Sequence, residues 1–192
     1  GLLSPGAPPL DEEARRLVYR DEQTGWRFLL VKPADVPTYV EYGGADLGVV
    51  GKDVLLEVER DVCELVDLGL GFCRMVVAVP AATEIESVDQ LGFNTRVATK
   101  FPRIAAQYFR RRGIQAEIVE LHGSIELAPL VGMAEAIVDL TATGQTLSEN
   151  GLRVVDELFQ ATARLVANRV SYKVAYEQIM DLVARLREVV GY

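Results

Sequence analysis

AEAIVDLTATGQTLSENGL, residues 134–152, joins a short apolar run to a loop of threonines that contains one glycine. The apolar run predicts a buried strand with Asp139 at its carboxyl end, and Leu147 predicts the first core position of the following helix. A strand and a helix joined by so short a loop are typical of α/β proteins, which bind ligands beyond the carboxyl ends of their strands. The stretch therefore predicts an α/β fold with Asp139 at its ligand-facing edge.

Apolar runs interrupted by glycine or proline repeat this alternation along the chain. The predicted strands are 26–33, 45–51, 62–70, 73–80, 96–100, 116–123 and 135–140, and the predicted helices are 34–44, 52–59, 101–113, 124–134 and 170–190. The run 73–80 is almost wholly apolar, which predicts a central strand. In the last helix, the predicted core positions are Val174, Ile179, Leu182, Val183, Leu186 and Val190. We expect mixed, largely parallel sheets.

Two segments predict a division of the chain into two lobes. LGLGFCR, residues 68–74, links two strands through two glycines, and FQATARLVANR, residues 159–169, returns the chain to a new apolar strand. A pair of crossings is what a cleft between two lobes requires. Ordinary turns within one sheet remain the alternative, because periodicity does not distinguish the two.

Composition excludes several classes of protein. The chain has 192 residues, of which 49% are hydrophobic and 25% charged, so it can bury a real core. Its 28 acidic and 20 basic side chains give a formal net charge of −8, which argues against nucleic acid or an anionic membrane as a partner. No apolar run approaches the roughly 20 residues that span a bilayer, and residues 1–16 do not resemble a signal peptide. We expect a cytoplasmic protein.

The few cysteine and histidine residues argue against a protein-held metal site. Cys63 and Cys73 lie in apolar stretches, which predicts buried free thiols rather than a disulfide framework. His122 is the single histidine, so a zinc-type ligand set is lacking. We interpret His122 as a hydrogen-bonded loop residue.

The loop after Asp139 has the composition of a phosphate cradle. Backbone N–H groups at a helix start hold a phosphate best when small residues allow close approach and hydroxyl groups add donors. The hydroxyl donors are Thr141, Thr143 and Thr146, and the small residues are Ala142 and Gly144. A carboxylate at Asp139 could accept hydrogen bonds from sugar hydroxyls and counter a cationic sugar carbon. Because glycine and threonine also form plain turns, the loop alone leaves both readings open.

The wider context resembles one enzyme family. KPADVPTYVEYGGADLGVVGKDVLLE (32–57), ELHGSIELAPLVGMAEAIVDLTATGQTLSENGL (120–152) and ARLVANRVSYK (163–173) are similar, in this order, to ATP phosphoribosyltransferases. The resemblance implies a two-lobed fold like that of type II periplasmic binding proteins, with substrates in the cleft. It implies one lobe from residues 1–72 and 163–192 and a second from residues 73–162, which carries the loop.

The implied reaction transfers the 5-phosphoribosyl group of 5-phosphoribosyl-1-diphosphate (PRPP) to N1 of ATP, with Mg2+, and releases pyrophosphate. This is the first step of histidine biosynthesis. The resemblance implies that PRPP contacts Asp139, Thr141, Ala142, Thr143, Gly144, Gln145 and Thr146. It implies that ATP contacts Lys32, Asp46, Gly51, Lys52 and Glu126, and that Asp139 and Glu126 are catalytic. Mg2+ is expected to be held mainly by substrate phosphates.

Local cations are also expected, because both substrates are polyanions. The candidates are Lys32, Lys52, Arg96, Lys100 and Arg103, each near a predicted strand end or helix start. For each, a solvated surface charge is the alternative, which we favour for Arg103. Asp46 and Asp53 could be structural caps, and Glu126 could be a partner of a helix dipole.

The chain departs from the family in three places. It begins at Gly1, where we expect that a leading strand and turn are missing, and Lys32 replaces the usual arginine. It ends at Tyr192, where long members continue into a regulatory domain. We therefore expect the short form, which forms homodimers within a hetero-oligomer containing a regulatory subunit related to histidyl-tRNA synthetase.

Two other classes of protein are alternatives. GGADLGVVG, residues 43–51, also resembles the stretch that lines the ligand cleft of solute-binding proteins, which would suit a non-catalytic small-molecule sensor. A purely structural subunit is the third possibility. The loop after Asp139 favours the enzyme, because a sensor of an amino acid has no use for a cradle that holds a sugar phosphate.

Overall fold

A computed structural model describes residues 17–191. The strands of this region are β1 Val18–Arg20, β2 Arg27–Leu29, β3 Leu47–Gly51, β4 Cys63–Asp67, β5 Cys73–Pro80, β6 Thr95–Thr99, β7 Ala116–Glu120, β8 Ala136–Thr141, β9 Leu152–Ala161 and β10 Ala163–Ala167. The α-helices are α1 Val36–Glu41, α2 Lys52–Val58, α3 Pro102–Arg111, α4 Leu127–Leu130, α5 Gln145–Glu149, α6 Arg169–Val174 and α7 Tyr176–Val190. Short 3-10 turns lie at Pro33–Asp35 and Val88–Gln90.

A five-stranded sheet has the order β7-β6-β8-β5-β9. β6 is parallel to β7 and β8, whereas β5 is antiparallel to both β8 and β9, so four of the five strands run in one direction. Val77 of β5 packs on one face with Phe109 of α3, and Val76 packs on the other with Leu147 of α5. Because both faces are covered, the sequence of β5 is an almost continuous apolar run. β5 lies inside the sheet, between β8 and β9, although β8 rather than β5 is the middle strand.

A three-stranded sheet has the order β3-β10-β4, with β10 antiparallel to both neighbours. Leu165 of β10 packs with Ile179 and Val183 of α7. The adjacent Val166 faces the other way and packs with Val40 of α1. Successive side chains of a strand point to opposite faces, so this small sheet is also covered on both sides. β1 and β2 form a separate antiparallel pair.

Two short segments connect the two larger sheets and lie side by side. Leu68 N–H donates to the Ala163 carbonyl at 2.9 Å, and Ala163 N–H donates to the Leu70 carbonyl at 2.8 Å. The Thr162 hydroxyl donates to Asp67 Oδ1 at 2.6 Å. These bonds hold the β4–β5 connection against the β9–β10 connection, so the chain crosses twice at one place.

Two predicted elements are shorter in the structure. The strand predicted over 26–33 covers only Arg27–Leu29 of that range. The helix predicted over 124–134 is the four-residue α4, and Ser124 and Glu126 precede it rather than forming its first turn. Gly132, whose φ is 73°, lies in the left-handed region and ends this turn of helix before residue 134.

The predicted final helix is two helices. The break is at Ala175, whose φ of −111° and ψ of 32° are not helical. Val174 is 82% exposed just before the break, so its predicted place on the apolar face is wrong, whereas Leu182 and Val183 are buried. Asn168 caps α6 by accepting hydrogen bonds from the N–H groups of Val170 and Ser171.

Replacing Phe109 by alanine tests the packing of α3 on the five-stranded sheet. Phe109 is 1% exposed, so we expect a loss of about 3–5 kcal/mol in the free energy of unfolding. Denaturant unfolding measures it. Phe93, which is 77% exposed, is the matched control, and Phe93→Ala should unfold like the parent. An equal effect of both substitutions would contradict the assigned core.

Candidate active site

Asp139 lies in β8, between β5 and β6, and the strand continues for two residues beyond Asp139, its predicted carboxyl end, to Thr141. It is 5% exposed. The Leu140 N–H donates to Asp139 Oδ1 at 2.8 Å, and the Lys100 ammonium lies 3.5 Å from the same oxygen. Both contacts therefore involve the same carboxylate oxygen, Oδ1.

Opposing effects act on the pKa of Asp139. Burial raises the pKa above its usual value, because the charged form loses solvation. The positive charge of Lys100 and the Leu140 hydrogen bond lower it, whereas the negative charge of Glu126 raises it. Burial is the largest effect, so the net shift is upward. A carboxylate with a raised pKa beside a loop is the kind of group that functional sites contain.

Hydrogen bonds between backbone amides and threonine hydroxyls of the same loop fix the conformation of the loop after Asp139. Gly144 N–H donates to Thr141 Oγ1 at 2.7 Å, and Gln145 N–H donates to Thr143 Oγ1 at 3.3 Å. In residues 17–191, no acceptor is found for the N–H groups of Ala142 and Thr143. Because a hydroxyl that accepts can still donate, the loop presents both amide and hydroxyl donors.

Gly144 makes this loop conformation possible. Its φ of 81° lies in the left-handed region, which glycine occupies without a steric penalty. A Cβ at this position would meet no atom within 4 Å. The position therefore requires glycine for its backbone conformation and keeps free space above the loop.

Helix α5 continues from the loop and is braced by side chains. Asn150 Nδ2 donates to the Thr146 carbonyl at 2.8 Å, and Gln145 Nε2 donates to Glu149 at 2.8 Å. Leu147 is buried in the core, as predicted. The side chains of Gln145 and Thr146 are exposed.

The start of α2 places Gly51, Lys52 and Asp53 together. A Cβ on Gly51 would lie 2.2 Å from Asp53 Oδ1, so glycine is required by this close approach. Lys52 Nζ lies 2.6 Å from Glu64 Oε2. Asp53 is buried, and burial raises its pKa while the charge of Lys100 opposes the rise. The charge of Lys100 therefore lowers the pKa of both Asp53 and Asp139.

The remaining residues assigned to ATP lie in three places. Lys32 is exposed and directly precedes the 3-10 turn Pro33–Asp35, which contacts α2. Glu126 is half-buried before α4 and is close enough to raise the pKa of Asp139. Asp46 Oδ1 accepts a hydrogen bond from the Ser171 hydroxyl at 2.5 Å, so this carboxylate holds the start of α6.

Besides Lys52 and Lys100, whose pairs with Glu64 and Asp139 are given above, the two arginines among the candidate cations also pair with carboxylates. Arg96 forms a 2.5 Å contact with Glu135, and Arg103 pairs with Glu59 of the segment after α2. His122 is a loop residue with an 87% exposed side chain, 4.0 Å from Glu120.

Glu57 of α2 makes a contact that the sequence did not suggest. Its Oε1 accepts from Arg103 N–H at 2.9 Å, and its Oε2 accepts from Ile104 N–H at 3.0 Å. These two amides belong to the first turn of α3, whose N–H groups have no partner within the helix. A carboxylate of the small-sheet side therefore caps a helix of the large-sheet side.

Cysteines, metal clusters and membrane spans add little to the site. Cys63 and Cys73 are free, as predicted, but both are half-buried rather than buried. Between residues 17 and 191, no group of three or more His, Cys, Asp or Glu side chains could hold a metal ion. None of the helices in that range has the length and apolar character needed to cross a membrane.

Comparisons with known protein structures agree with this arrangement. A chain of the ATP phosphoribosyl transferase (HisG:HisZ) complex from Thermotoga maritima superposes with a TM-score of 0.79 at 35% identity, over 95% of this chain and 87% of that one. The periplasmic aliphatic sulphonate binding protein SsuA of Escherichia coli superposes with a TM-score of 0.59 at 18% identity, over 82% of this chain and 59% of that one. The second similarity concerns the fold alone. The predicted two-lobed fold of the type II binding proteins is confirmed.

Sequence comparisons give the family. The profile described as HisG, ATP phosphoribosyltransferase, matches residues 32–188. The ATP phosphoribosyltransferase of Caldanaerobacter subterraneus is 51% identical, over 95% of this chain and 85% of its own length. That of Symbiobacterium thermophilum is 50% identical, over 100% of this chain and 86% of its own length. The chain belongs to the ATP phosphoribosyltransferase family.

Proposed function

We propose that this chain binds PRPP on the loop after Asp139 and transfers its 5-phosphoribosyl group to N1 of ATP, releasing pyrophosphate. The observation that carries the assignment of the site is the buried Asp139 carboxylate next to a loop whose Ala142 and Thr143 amides have no acceptor among residues 17–191. Bond cleavage at C1 of the ribose leaves a cationic sugar carbon, which a nearby fixed negative charge stabilises. Because adenine N1 is itself a nucleophile, the reaction requires orientation of two substrates more than a strong base.

The residues proposed to bind PRPP lie one after another along the loop that follows Asp139. The 5-phosphate binds over the backbone of Ala142, Thr143 and Gly144, where the amides and the space above Gly144 allow close approach. Asp139 accepts hydrogen bonds from the ribose hydroxyls. The other contacts proposed for PRPP are Thr141, Gln145 and Thr146.

The ATP half is proposed to lie toward the start of α2. Gly51 leaves its backbone close to the ligand, and Lys52 and Lys32 supply positive charge to the triphosphate. Glu126 lies near the adenine and the ribose, where its charge also bears on Asp139. Asp46 is the last residue proposed for the ATP site. Its carboxylate accepts a hydrogen bond from the Ser171 hydroxyl, which fixes the segment before β3.

Mg2+ is proposed as the cofactor, bound by substrate phosphate oxygens rather than by a side-chain cluster. Mg2+ prefers oxygen ligands, keeps several waters and often binds through substrate phosphates. That preference fits a site whose described residues contain carboxylates but no three-residue cluster. When bound, the ion neutralises the charge of the departing pyrophosphate. The net charge of −8 also makes a metal counterion useful to two anionic substrates.

We further propose lobe boundaries at residues 1–72 with 163–192, and at residues 73–162. The strands of the small sheet come from 47–67 and 163–167, and those of the large sheet come from 73–161. The paired connections at 68–72 and 162 support a hinge there. Cytoplasmic location is proposed as well, because both substrates are intracellular metabolites.

A direct assay tests the proposed function. Purified chain is mixed with ATP, PRPP and Mg2+, and the absorbance of N1-phosphoribosyl-ATP is followed. Product that depends on both substrates supports the enzyme. Binding of a small molecule without any product, with the HisZ-type subunit present, would instead favour the sensor alternative.

Regulation is proposed to require a second subunit related to histidyl-tRNA synthetase. The solved complex from Thermotoga maritima pairs HisG with HisZ, and we extend that assembly, with a homodimer of the short-form catalytic chain, to this protein. Allosteric inhibition needs a second site with different contacts in two states.

Histidine is therefore expected to bind the isolated chain weakly, and to inhibit strongly only after the second subunit is added. Calorimetry with the chain alone and inhibition assays with both subunits measure the difference. Tight histidine binding to the isolated chain outside the substrate cleft would contradict the proposal.

A further inference from the structure

Lys100 is held beside Asp139 by the turn that carries it. The Thr99 hydroxyl donates to the Val138 carbonyl at 2.7 Å and accepts from Phe101 N–H at 2.9 Å. Thr99 and Phe101 are both buried, so the two neighbours of Lys100 are fixed against β8. The position of Lys100 is thus determined by β8, the strand that also carries Asp139.

Lys100 and a backbone amide use the same oxygen of Asp139. The ammonium group lies 3.5 Å from Oδ1, to which Leu140 N–H also donates at 2.8 Å. Oδ2 has no hydrogen-bond partner among residues 17–191. A carboxylate held by one oxygen has a fixed plane and presents the other oxygen in a defined direction.

We propose that Lys100 is the positioning residue for Asp139, holding its Oδ1 and keeping the carboxylate ionised so that Oδ2 receives the ribose hydroxyls of PRPP. The inference rests on the proposed function and adds a residue to it. Lys100 acts here through Asp139 and not as a ligand of the phosphates. Burial of Asp139 makes this help necessary, because an isolated carboxylate in that position favours the neutral form.

Among the charged groups of residues 17–191, Lys100 is the cation that acts on Asp139. The negative charge of Glu126, before α4, raises the pKa of Asp139. The charge of Lys100 also lowers the pKa of Asp53 in α2. Arg74 of the neighbouring strand β5 pairs with Glu157 of β9 at 3.2 Å. The other charged groups on adjoining elements are Arg103 of α3, which pairs with Glu59, and Glu149 of α5, which accepts from Gln145.

The test is the pH dependence of kcat/KM for the parent, Lys100→Met, Lys100→Arg and the control Lys173→Met. Lys173 is an exposed lysine of α6. For Lys100→Met we expect kcat/KM to fall about tenfold more at low pH than at pH 8, because removal of a nearby opposite charge favours the protonated carboxyl. Lys100→Arg should recover most of the loss, and Lys173→Met should follow the parent.

A double-substitution cycle provides a second readout through PRPP affinity. In an Asp139→Asn background, Lys100→Met should cause little further loss of PRPP affinity, since the carboxylate charge that Lys100 stabilises is absent. An equal loss at every pH, or a full further loss of PRPP affinity in the Asp139→Asn background, would overturn the inference, as either shows Lys100 acting on substrate directly.

Product formation by the parent is measured first, and its absence would overturn the proposed function together with this inference. Normal parent activity with an unshifted Lys100→Met profile would overturn the inference alone. Thermal melting confirms that each variant is folded.

Discussion

Replacing Asp139 by asparagine is expected to lower kcat about 10²–10³-fold while making the substrate-free protein more stable. The loss of activity follows from removing the negative charge that faces the cationic sugar carbon. The gain in stability follows because burial makes this carboxylate costly to the folded state. The melting temperature should rise by a few degrees, since 1 kcal/mol corresponds to about 2–4 °C in a chain of this length.

The pH dependence of that stability gain has a defined sign. The folded-state pKa of Asp139 is raised, so the native protein binds this proton more tightly than the unfolded chain does. Parent stability therefore falls as pH rises through the folded pKa, and this part of the fall disappears in Asp139→Asn. The raised pKa of Asp53 leaves a similar contribution in both proteins.

Thermal melts between pH 4 and pH 8 and product assays measure the two effects. Asp181→Asn is the matched control, because Asp181 is an exposed residue of α7 paired with Arg185. That control should change neither kcat nor the pH dependence. Retention of parental kcat in Asp139→Asn would remove Asp139 from the reaction.

Replacing Gly144 by valine is expected to reduce PRPP affinity and kcat/KM about 10²-fold. A β-branched residue at φ 81° is strained by about 1–2 kcal/mol, and its side chain would occupy the space above the amides of the loop. A Cβ here meets no atom within 4 Å, so the added Cβ itself does not clash with the protein. Calorimetric titration with PRPP measures the affinity.

Gly113 offers a close control for this substitution. Its φ is 72°, and a Cβ there also meets no atom within 4 Å, but it follows α3 on the surface. Gly113→Val should therefore lose similar stability and keep its PRPP affinity. If Gly144→Val bound PRPP as tightly as Gly113→Val, the loop would not be the phosphate cradle.

Local sequence patterns predicted most of the strands and the loop. The apolar run of β5 and the strand–loop–helix unit from β8 to α5 carry their signals within a few residues. The break at Ala175 has no comparable signal, because alanine is a good helix former and tertiary contacts on both sides decide it. The helix predicted over 124–134 is reduced to the short α4, and most of the apolar residues 127–133 lie on the surface.

Within the site, contiguous residues were predictable and distant pairs were not. Asp139 and the loop that follows are adjacent in sequence, so one pattern contained them all. The pairing of Asp139 with Lys100 spans 39 positions, and it arises because β6 lies beside β8 in the sheet. Sequence reasoning named Lys100 only as one cation among five, since the order of strands was not available from periodicity.

The hydrogen bonds from Arg103 N–H and Ile104 N–H to the Glu57 carboxylate join the two larger sheets, so these amides respond when the sheets separate. The N–H groups of Arg103 and Ile104 are covered by a side chain from the opposite side of the molecule, not by their own helix. Their exchange with deuterium from solvent requires the Glu57 carboxylate to release them, which movement of α2 away from α3 would cause. Slower exchange at these two amides when substrates are bound would report, residue by residue, how long the protein stays closed around them.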